Sequence, residues 1–278
     1  MLPREVGYAK PSTLAEALDL LAANDGARPL AGGQTLVSVM KARVASPEAL
    51  VDLNGLDELR GVELDREGGL EIGAMTTYSE VMASAEARAR PIIAEVCSQI
   101  ADVQVRNRGT IGGNICANDP TNHLPPLMVA LNAQMTIVGV DGERTVSADD
   151  FFLGVYMTEV GPDEILTKIS IPPGRRDGFA SITIGEDGTC LVNAAVSLDG
   201  GARVAIGCVG AVPHRATDVE ARLNGDHSLE AARAAVAGLG GTLDPPGDVH
   251  APAAYRQRLA EVVAARAIVE AGKQEAAR

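Results

Sequence analysis

Two glycine pairs, each leading into an apolar stretch, constrain this chain more than any other feature. The first lies in Ala31-Gly32-Gly33-Gln34-Thr35-Leu36 and the second in Thr110-Ile111-Gly112-Gly113-Asn114-Ile115, with Gly112 standing 80 positions after Gly32. Ala27-Arg-Pro-Leu-Ala31 reads as a short strand before the first pair, and Leu36-Val-Ser-Val-Met40 as a helix start after it. A strand, a glycine turn and a helix start leave consecutive N–H groups unhindered by Cβ atoms where the helix dipole favours an anion. Phosphate is the natural guest. Double glycines also begin at 68, 200 and 240, so one pair alone signifies a tight turn. Two pairs in this context can grip both phosphates of a dinucleotide from opposite sides.

Around these loops the chain reads as α+β. Thr13-Leu-Ala-Glu16 has the form of a capping box and opens a helix over 13–24 with Leu14, Ala17, Leu18, Leu21 and Ala22 on one stripe. Ala49 to Leu53 reads as a strand, and Gly61 to Asp65 with Gly68 to Gly73 as a hairpin. From Tyr78 to Ile100 the pattern is helical and broken at Pro91; Pro125 to Leu131 is helical, and Met135 to Val140 and Glu164 to Ile171 read as strands. Pro172-Pro173-Gly174 marks a boundary. Beyond it Ile182 to Ile184, Cys190 to Leu198 and Val204 to Val209 form a meander, Thr217-Asp-Val-Glu220 is a second capping box, and Tyr255, Leu259, Val262, Val263 and Val269 define an amphipathic terminal helix. The divisions are 1–57, 58–173 and 174–278.

Composition excludes several functions. At 278 residues and a net charge of −13, the chain is large enough for a proper core and would repel a polyphosphate backbone, which argues against nucleic acid. Trp is absent and aromatic residues are 3%, so recognition rests on backbone and small side chains rather than on stacking platforms. The start lacks a signal-like apolar segment, and the most apolar later run is broken by Asn132 and Gln134, so a soluble cytoplasmic chain without a transmembrane segment is expected. Cys97, Cys116, Cys190 and Cys208 form no C-x-x-C pair and are expected as buried reduced thiols. His123, His214, His227 and His250 lack metal-ligand spacing, and neither G-x-G-x-x-G, G-x-x-x-x-G-K-[ST], H-E-x-x-H nor G-x-S-x-G occurs. Asp149-Asp150 and Glu186-Asp187 read as solvated turn residues. No catalytic residue and no metal ligand is assigned. Arg106 and Arg108, before the second loop, have two readings: charge beside a cofactor or partner, or solvated turn arginines.

The sequence resembles the flavin-binding medium subunits of the molybdenum hydroxylases, the carbon monoxide dehydrogenase and xanthine dehydrogenase family. The resemblance is carried by Ala31-Gly-Gly-Gln-Thr-Leu36 with Met40-Lys-Ala-Arg43, Leu50-Val-Asp-Leu53, Ile72-Gly-Ala-Met-Thr-Thr77, Arg106-Asn-Arg-Gly-Thr-Ile-Gly-Gly-Asn114, Asp119-Pro120, Leu124-Pro125 and Glu164-Ile-Leu-Thr-Lys-Ile-Ser-Ile-Pro172. It implies a vanillyl-alcohol-oxidase (PCMH-type) FAD-binding fold, with two α+β subdomains around non-covalent FAD and a C-terminal antiparallel sheet with helices. Ala31, Gly32, Gly33, Gln34, Thr35 and Leu36 would hold one side of the pyrophosphate, and Thr110, Ile111, Gly112, Gly113 and Asn114 the other. Asp119 and His123 would lie near the ribose and adenine, and Ile165 and Leu166 would line the pocket. Two departures stand out: relatives commonly carry an acidic residue at His123, and basic residues where this chain has Ala180-Ser-Ile-Thr-Ile184.

The resemblance also implies a role as an electron relay. A large partner would carry the molybdenum cofactor and a small partner two [2Fe-2S] clusters, in a dimer of heterotrimers. FAD on this chain would pass their electrons to an external acceptor. A flavin-free scaffold subunit of the same complex and a self-sufficient flavoprotein oxidase are the alternatives.

Overall fold

The structure, a computed structural model, describes residues 4–185 and 188–273. Glu186-Asp187, read above as a solvated turn, lies outside the described residues. The first sheet is parallel, with strand order β1-β3-β2: β1 (Gly7–Ala9), then α1 (Leu14–Ala23), β2 (Ala27–Leu30), α2 (Leu36–Lys41) and β3 (Ala49–Asp52). Chain order then gives β4 (Val62–Leu64), β5 (Leu70–Gly73), α3 (Tyr78–Ala83), α4 (Ile92–Ser98), α5 (Val103–Arg106), α6 (Ile111–Ala117), α7 (Leu124–Ala130), β6 (Gln134–Gly139), β7 (Gly142–Ser147) and α8 (Ala148–Phe151). A small hairpin, β8 (Phe152–Gly154) and β9 (Met157–Thr158), precedes β10 (Ile165–Ile171). β10 is the centre of the second sheet, ordered β4-β5-β10-β6-β7 and antiparallel throughout.

The third sheet is an antiparallel meander of β11 (Asp177–Thr183), β12 (Cys190–Ser197), β13 (Arg203–Gly207) and β14 (His214–Arg215). It is followed by α9 (Thr217–Arg222), α10 (Leu229–Val236) and α11 (Ala253–Lys273). All eight residues of β12 are buried. One face of the strand joins the core under α7 through Ala195, and the other joins the core under α11 through Val192, Ala194 and Val196. A strand covered on both faces is apolar at most positions without strict alternation, and the two polar side chains of β12, Asn193 and Ser197, are buried and hydrogen-bonded. No helix among the described residues is long and apolar enough to cross a membrane.

Several local expectations need correction. Thr13 does cap Glu16 N at 3.2 Å, but the Glu16 carboxylate accepts from Ser12 N and Oγ, at 2.7 and 2.9 Å, instead of closing the box on Thr13. Ala22 is exposed, and half-buried Leu20 takes its place beside that core. Thr217 is the first helical residue of α9 rather than its cap, because Glu220 is drawn to Val204 N at 2.9 Å and to Arg215 Nε at 3.0 Å. The complete capping box is instead at Thr77 and Glu80. In α11, Tyr255 and Val262 are 48% and 41% exposed, and the buried face is lined largely by alanines. Cys116 is half-buried, whereas Cys97, Cys190 and Cys208 are buried.

β11 starts at Asp177, earlier than the apolar run suggests, because that carboxylate is fixed by a cation from outside the sheet. Arg90 donates to Asp177 through Nε at 2.8 Å and Nη2 at 2.9 Å, to Ser197 Oγ at 2.9 Å, and to the Pro172 carbonyl. Both partners are buried, at 4% and 1% side-chain exposure. The guanidinium fork matches the carboxylate in two parallel bonds and closes the segment between α3 and α4 onto the third sheet.

Candidate functional site

The two glycine loops meet. A methyl group built on Gly32 would lie 2.0 Å from the Arg108 carbonyl oxygen and 2.9 Å from Gly109 Cα, so only a hydrogen fits there. A methyl on Gly113 would touch Ala31 Cβ at an ordinary 3.5 Å. Gly33 sits at φ +72°, a left-handed conformation that L side chains rarely adopt, and this turns the chain from β2 into α2. The first loop is buttressed from behind: Asn54 Nδ2 donates to the Ala31 carbonyl at 2.9 Å and to Asp52 Oδ1 at 2.7 Å, and Tyr8 Oη donates to Asp52 Oδ2 at 2.6 Å. Burial opposes ionisation of Asp52, but the hydrogen bonds from Tyr8 and Asn54 prevail and hold its carboxyl below the usual value. The sequence had flagged Leu50-Val-Asp-Leu53 without giving Asp52 this role.

The loops differ in what their N–H groups do. Among the described residues, no internal acceptor takes the N–H of Gly32, Gly33, Gln34 or Thr35. The Thr35 hydroxyl caps nothing. In the second loop, Ile111 N donates to Thr76 O at 3.0 Å, Gly112 N to Ala74 O at 2.9 Å, Gly113 N to Thr110 Oγ1 at 3.0 Å and Asn114 N to Thr110 O at 3.1 Å. A cradle of backbone donors is therefore present at Gly32 to Thr35, while Thr110 to Asn114 form a rigid wall beside it. The N–H groups of the first loop are thus unclaimed within the chain, and those of Ile111 to Asn114 are bonded within it.

Acceptors supply the other half of the site. Asn114 Oδ1 and His123 Nε2 are buried and have no hydrogen-bond partner. Burial pushes the His123 imidazole down to about 4, so near neutral pH it is an uncharged ring whose free nitrogen can accept. The ring is 7% exposed and stacks on Phe179 of β11, with centroids 5.4 Å apart. Asp119 is oriented by Thr121, whose N and Oγ1 donate to its Oδ1 at 2.9 and 2.8 Å, and by Tyr156 Oη, which donates to Oδ2 at 3.0 Å. Asn118, in the left-handed region, ties the β8–β9 hairpin to this turn through Nδ2 and Gly154 O at 2.7 Å. Nothing in the sequence pointed to Tyr156 or Asn118. Ile165 and Leu166 open β10 at 2% and 4% exposure and lie within two different apolar clusters. Of the two arginines, Arg106 donates to the carbonyls of Ile100 and Ala101 and is structural, while Arg108 is exposed beside the contact with Gly32.

A cradle of unclaimed amides at a helix start, with buried acceptors for hydroxyl or amino groups nearby, suits a dinucleotide cofactor. The family described as the FAD binding domain in molybdopterin dehydrogenase matches residues 4–174, and that described as the CO dehydrogenase flavoprotein C-terminal domain matches residues 183–271. The carbon monoxide dehydrogenase medium chain of Afipia carboxidovorans is 38% identical over 98% of both chains. The glyceraldehyde dehydrogenase medium chain of Sulfolobus acidocaldarius is 33% identical over 97% of this chain and 99% of its own. The solved carbon monoxide dehydrogenase of Hydrogenophaga pseudoflava, in a form lacking the Mo-pyranopterin moiety, has a chain that superimposes with a TM-score of 0.93 at 35% identity over 99% of each chain. The chain belongs to the FAD-binding medium subunits of the molybdenum hydroxylases. It has their PCMH-type FAD fold and C-terminal antiparallel sheet, and the molybdenum cofactor and iron–sulfur clusters belong to other subunits of such enzymes.

Proposed function

We propose that this chain is the electron outlet of its complex, taking electrons from the [2Fe-2S] clusters of a small partner and delivering them to an external acceptor, with substrate oxidised at molybdenum on a large partner. The observation that carries the reading is the set of unclaimed N–H groups on Gly32, Gly33, Gln34 and Thr35 facing the second glycine loop. These amides and the Thr35 hydroxyl hold the FAD diphosphate, where the start of α2 adds favourable dipole. Ala31 and Leu36 flank them. Thr110, Ile111, Gly112, Gly113 and the Asn114 backbone bound the opposite side by contact, and the Asn114 side chain, Asp119 and His123 accept from ribose and adenine donors. Ile165 and Leu166 give the pocket its apolar backing. FAD, when bound, supplies the redox chemistry that couples a cluster to a soluble acceptor. The protein's part is positional: a fixed diphosphate sets where the flavin ring sits.

The same proposal includes a dimer of heterotrimers in the cytoplasm, the latter supported by four free cysteines, and the divisions 1–57, 58–173 and 174–278, supported by the absence of any sheet that spans two of them among the described residues. The substrate is not assigned, since relatives named for carbon monoxide and for glyceraldehyde are about equally similar. The test is removal of FAD from the assembled complex. Substrate should still bleach the iron–sulfur absorbance while turnover with the external acceptor is lost and returns on adding FAD. Undiminished turnover without FAD would overturn the route.

A further inference from the structure

We propose that Cys190 and Cys208 form a modification site, oxidised reversibly to a disulfide by a hydroperoxide, with Cys190 attacking and Cys208 resolving. β12 and β13 pair with Asn193 opposite Gly207, which brings Cys190 near the start of one strand and Cys208 just past the end of the other onto the same amide. Asn193 Nδ2 donates to both sulfurs at 3.5 Å and to the Asn122 carbonyl at 3.2 Å. Two features of the backbone make the approach possible. The register between β11 and β12 shifts next to Cys190, and Cys208 has φ +65°, a left-handed conformation that non-glycine residues rarely adopt.

The two thiols are unequal. A hydrogen bond from Cys208 favours the Cys190 thiolate, with further help from Asn193, the Val192 backbone and the Arg256 charge, whereas the Cys208 thiol is held protonated. Arg256 is itself buried, and its Nε has no partner. The other two cysteines lack this help: burial alone pushes Cys97 and Cys116 up to about 12. A thiolate is the nucleophilic form, and buried Arg256, whose Nη1 donates to the Leu191 carbonyl next to Cys190, sets its cation beside that sulfur, which marks Cys190 as the one that reacts.

The step balances without any further reagent. The Cys190 thiolate attacks one peroxide oxygen, the O–O bond breaks, and the departing hydroxide is protonated to water, leaving a sulfenic acid. The Cys208 sulfur then attacks the Cys190 sulfur, the S–O bond breaks, and the hydroxide leaves with the Cys208 proton as a second water. Two thiols and hydrogen peroxide give one disulfide and two waters, the sulfurs losing two electrons in all. With Cys190 1% and Cys208 7% exposed, only a reagent near the size of water enters, which selects hydrogen peroxide over glutathione disulfide.

The assembled complex, treated with hydrogen peroxide and then alkylated under acidic denaturing conditions, tests this by tryptic mapping of this chain. Cys190 falls in the peptide 177–203 and Cys208 in 204–215. The expected result is a linked species of these two peptides that dithiothreitol reverses and that glutathione disulfide does not produce. In Cys208→Ser a sulfenic acid on Cys190 should be trapped by dimedone on unfolding. Unlinked peptides after peroxide treatment of the wild-type complex would overturn the proposal, as would preferential oxidation of Cys97 or Cys116. Equal trapping on Cys208 in Cys190→Ser would overturn the assigned order.

Discussion

The two glycine loops look alike in sequence and behave oppositely. Ala31 to Leu36 presents backbone donors that nothing in the chain uses, while Thr110 to Asn114 has every N–H from Ile111 onward bonded to Ala74, Thr76 or Thr110. One loop is therefore organised for a guest and the other for the chain itself. A glycine pair permits close backbone approach but does not say what approaches; that depends on whether a neighbouring carbonyl already occupies the space. For the second loop the acceptors are the Ala74 and Thr76 carbonyls in the turn after β5, together with Thr110 itself.

Substitutions can break this contrast. The largest effect is expected at the contact itself. Gly32→Ala drives a methyl into the Arg108 carbonyl, so chemical denaturation should register a loss of about 3 kcal/mol, and FAD retention should fail with it. Next comes acid. The folded value of His123, about 4, lies below its ordinary 6.5, so the unfolded chain takes up the proton first. The contribution is intact above pH 6.5 and declines as pH falls toward 4, by about 3 kcal/mol over that window, and His123→Asn should flatten that slope in a pH series of unfolding curves.

Thr110→Ala removes the cap on Gly113 N and should cost about 1 kcal/mol of stability with little change in FAD affinity. Thr35→Ala should do the reverse, leaving stability within about 0.5 kcal/mol and weakening FAD about fivefold by fluorescence titration, because its hydroxyl makes no bond within the chain. If Thr35→Ala proves the more destabilising of the two, the assignment of roles to the loops is wrong.

Much of the architecture was legible because it is written in local patterns. The hairpin of β4 and β5, the strand β10 stopped by Pro172-Pro173 and the mostly apolar β12 each carry a pattern or a stop that survives without tertiary information. What could not be read depends on partners remote in sequence. The motif at Thr217 fails as a capping box because Arg215 and Val204 claim Glu220. β14 is two residues long, pairs with Ala205 and Ile206, and has no pattern of its own. At the site, the positions of both glycine pairs were legible, but the commitment of the second loop's amides was not, since Ala74 and Thr76 announce nothing until β5 brings their carbonyls alongside. The unpartnered nitrogen of His123 was likewise invisible, although its type was a clue in a position where relatives carry an acid.

The Arg90–Asp177 pair has a consequence for how this polypeptide can be divided. Separate families match the stretches before and after it, which invites cutting the chain near residue 175 to obtain each half alone. Such a cut would leave an arginine in one fragment and an aspartate in the other, each shaped for burial and each stripped of its counter-ion, a loss of about 3 to 5 kcal/mol. The halves should therefore be recovered only when expressed together, as a non-covalent pair that sediments as one body.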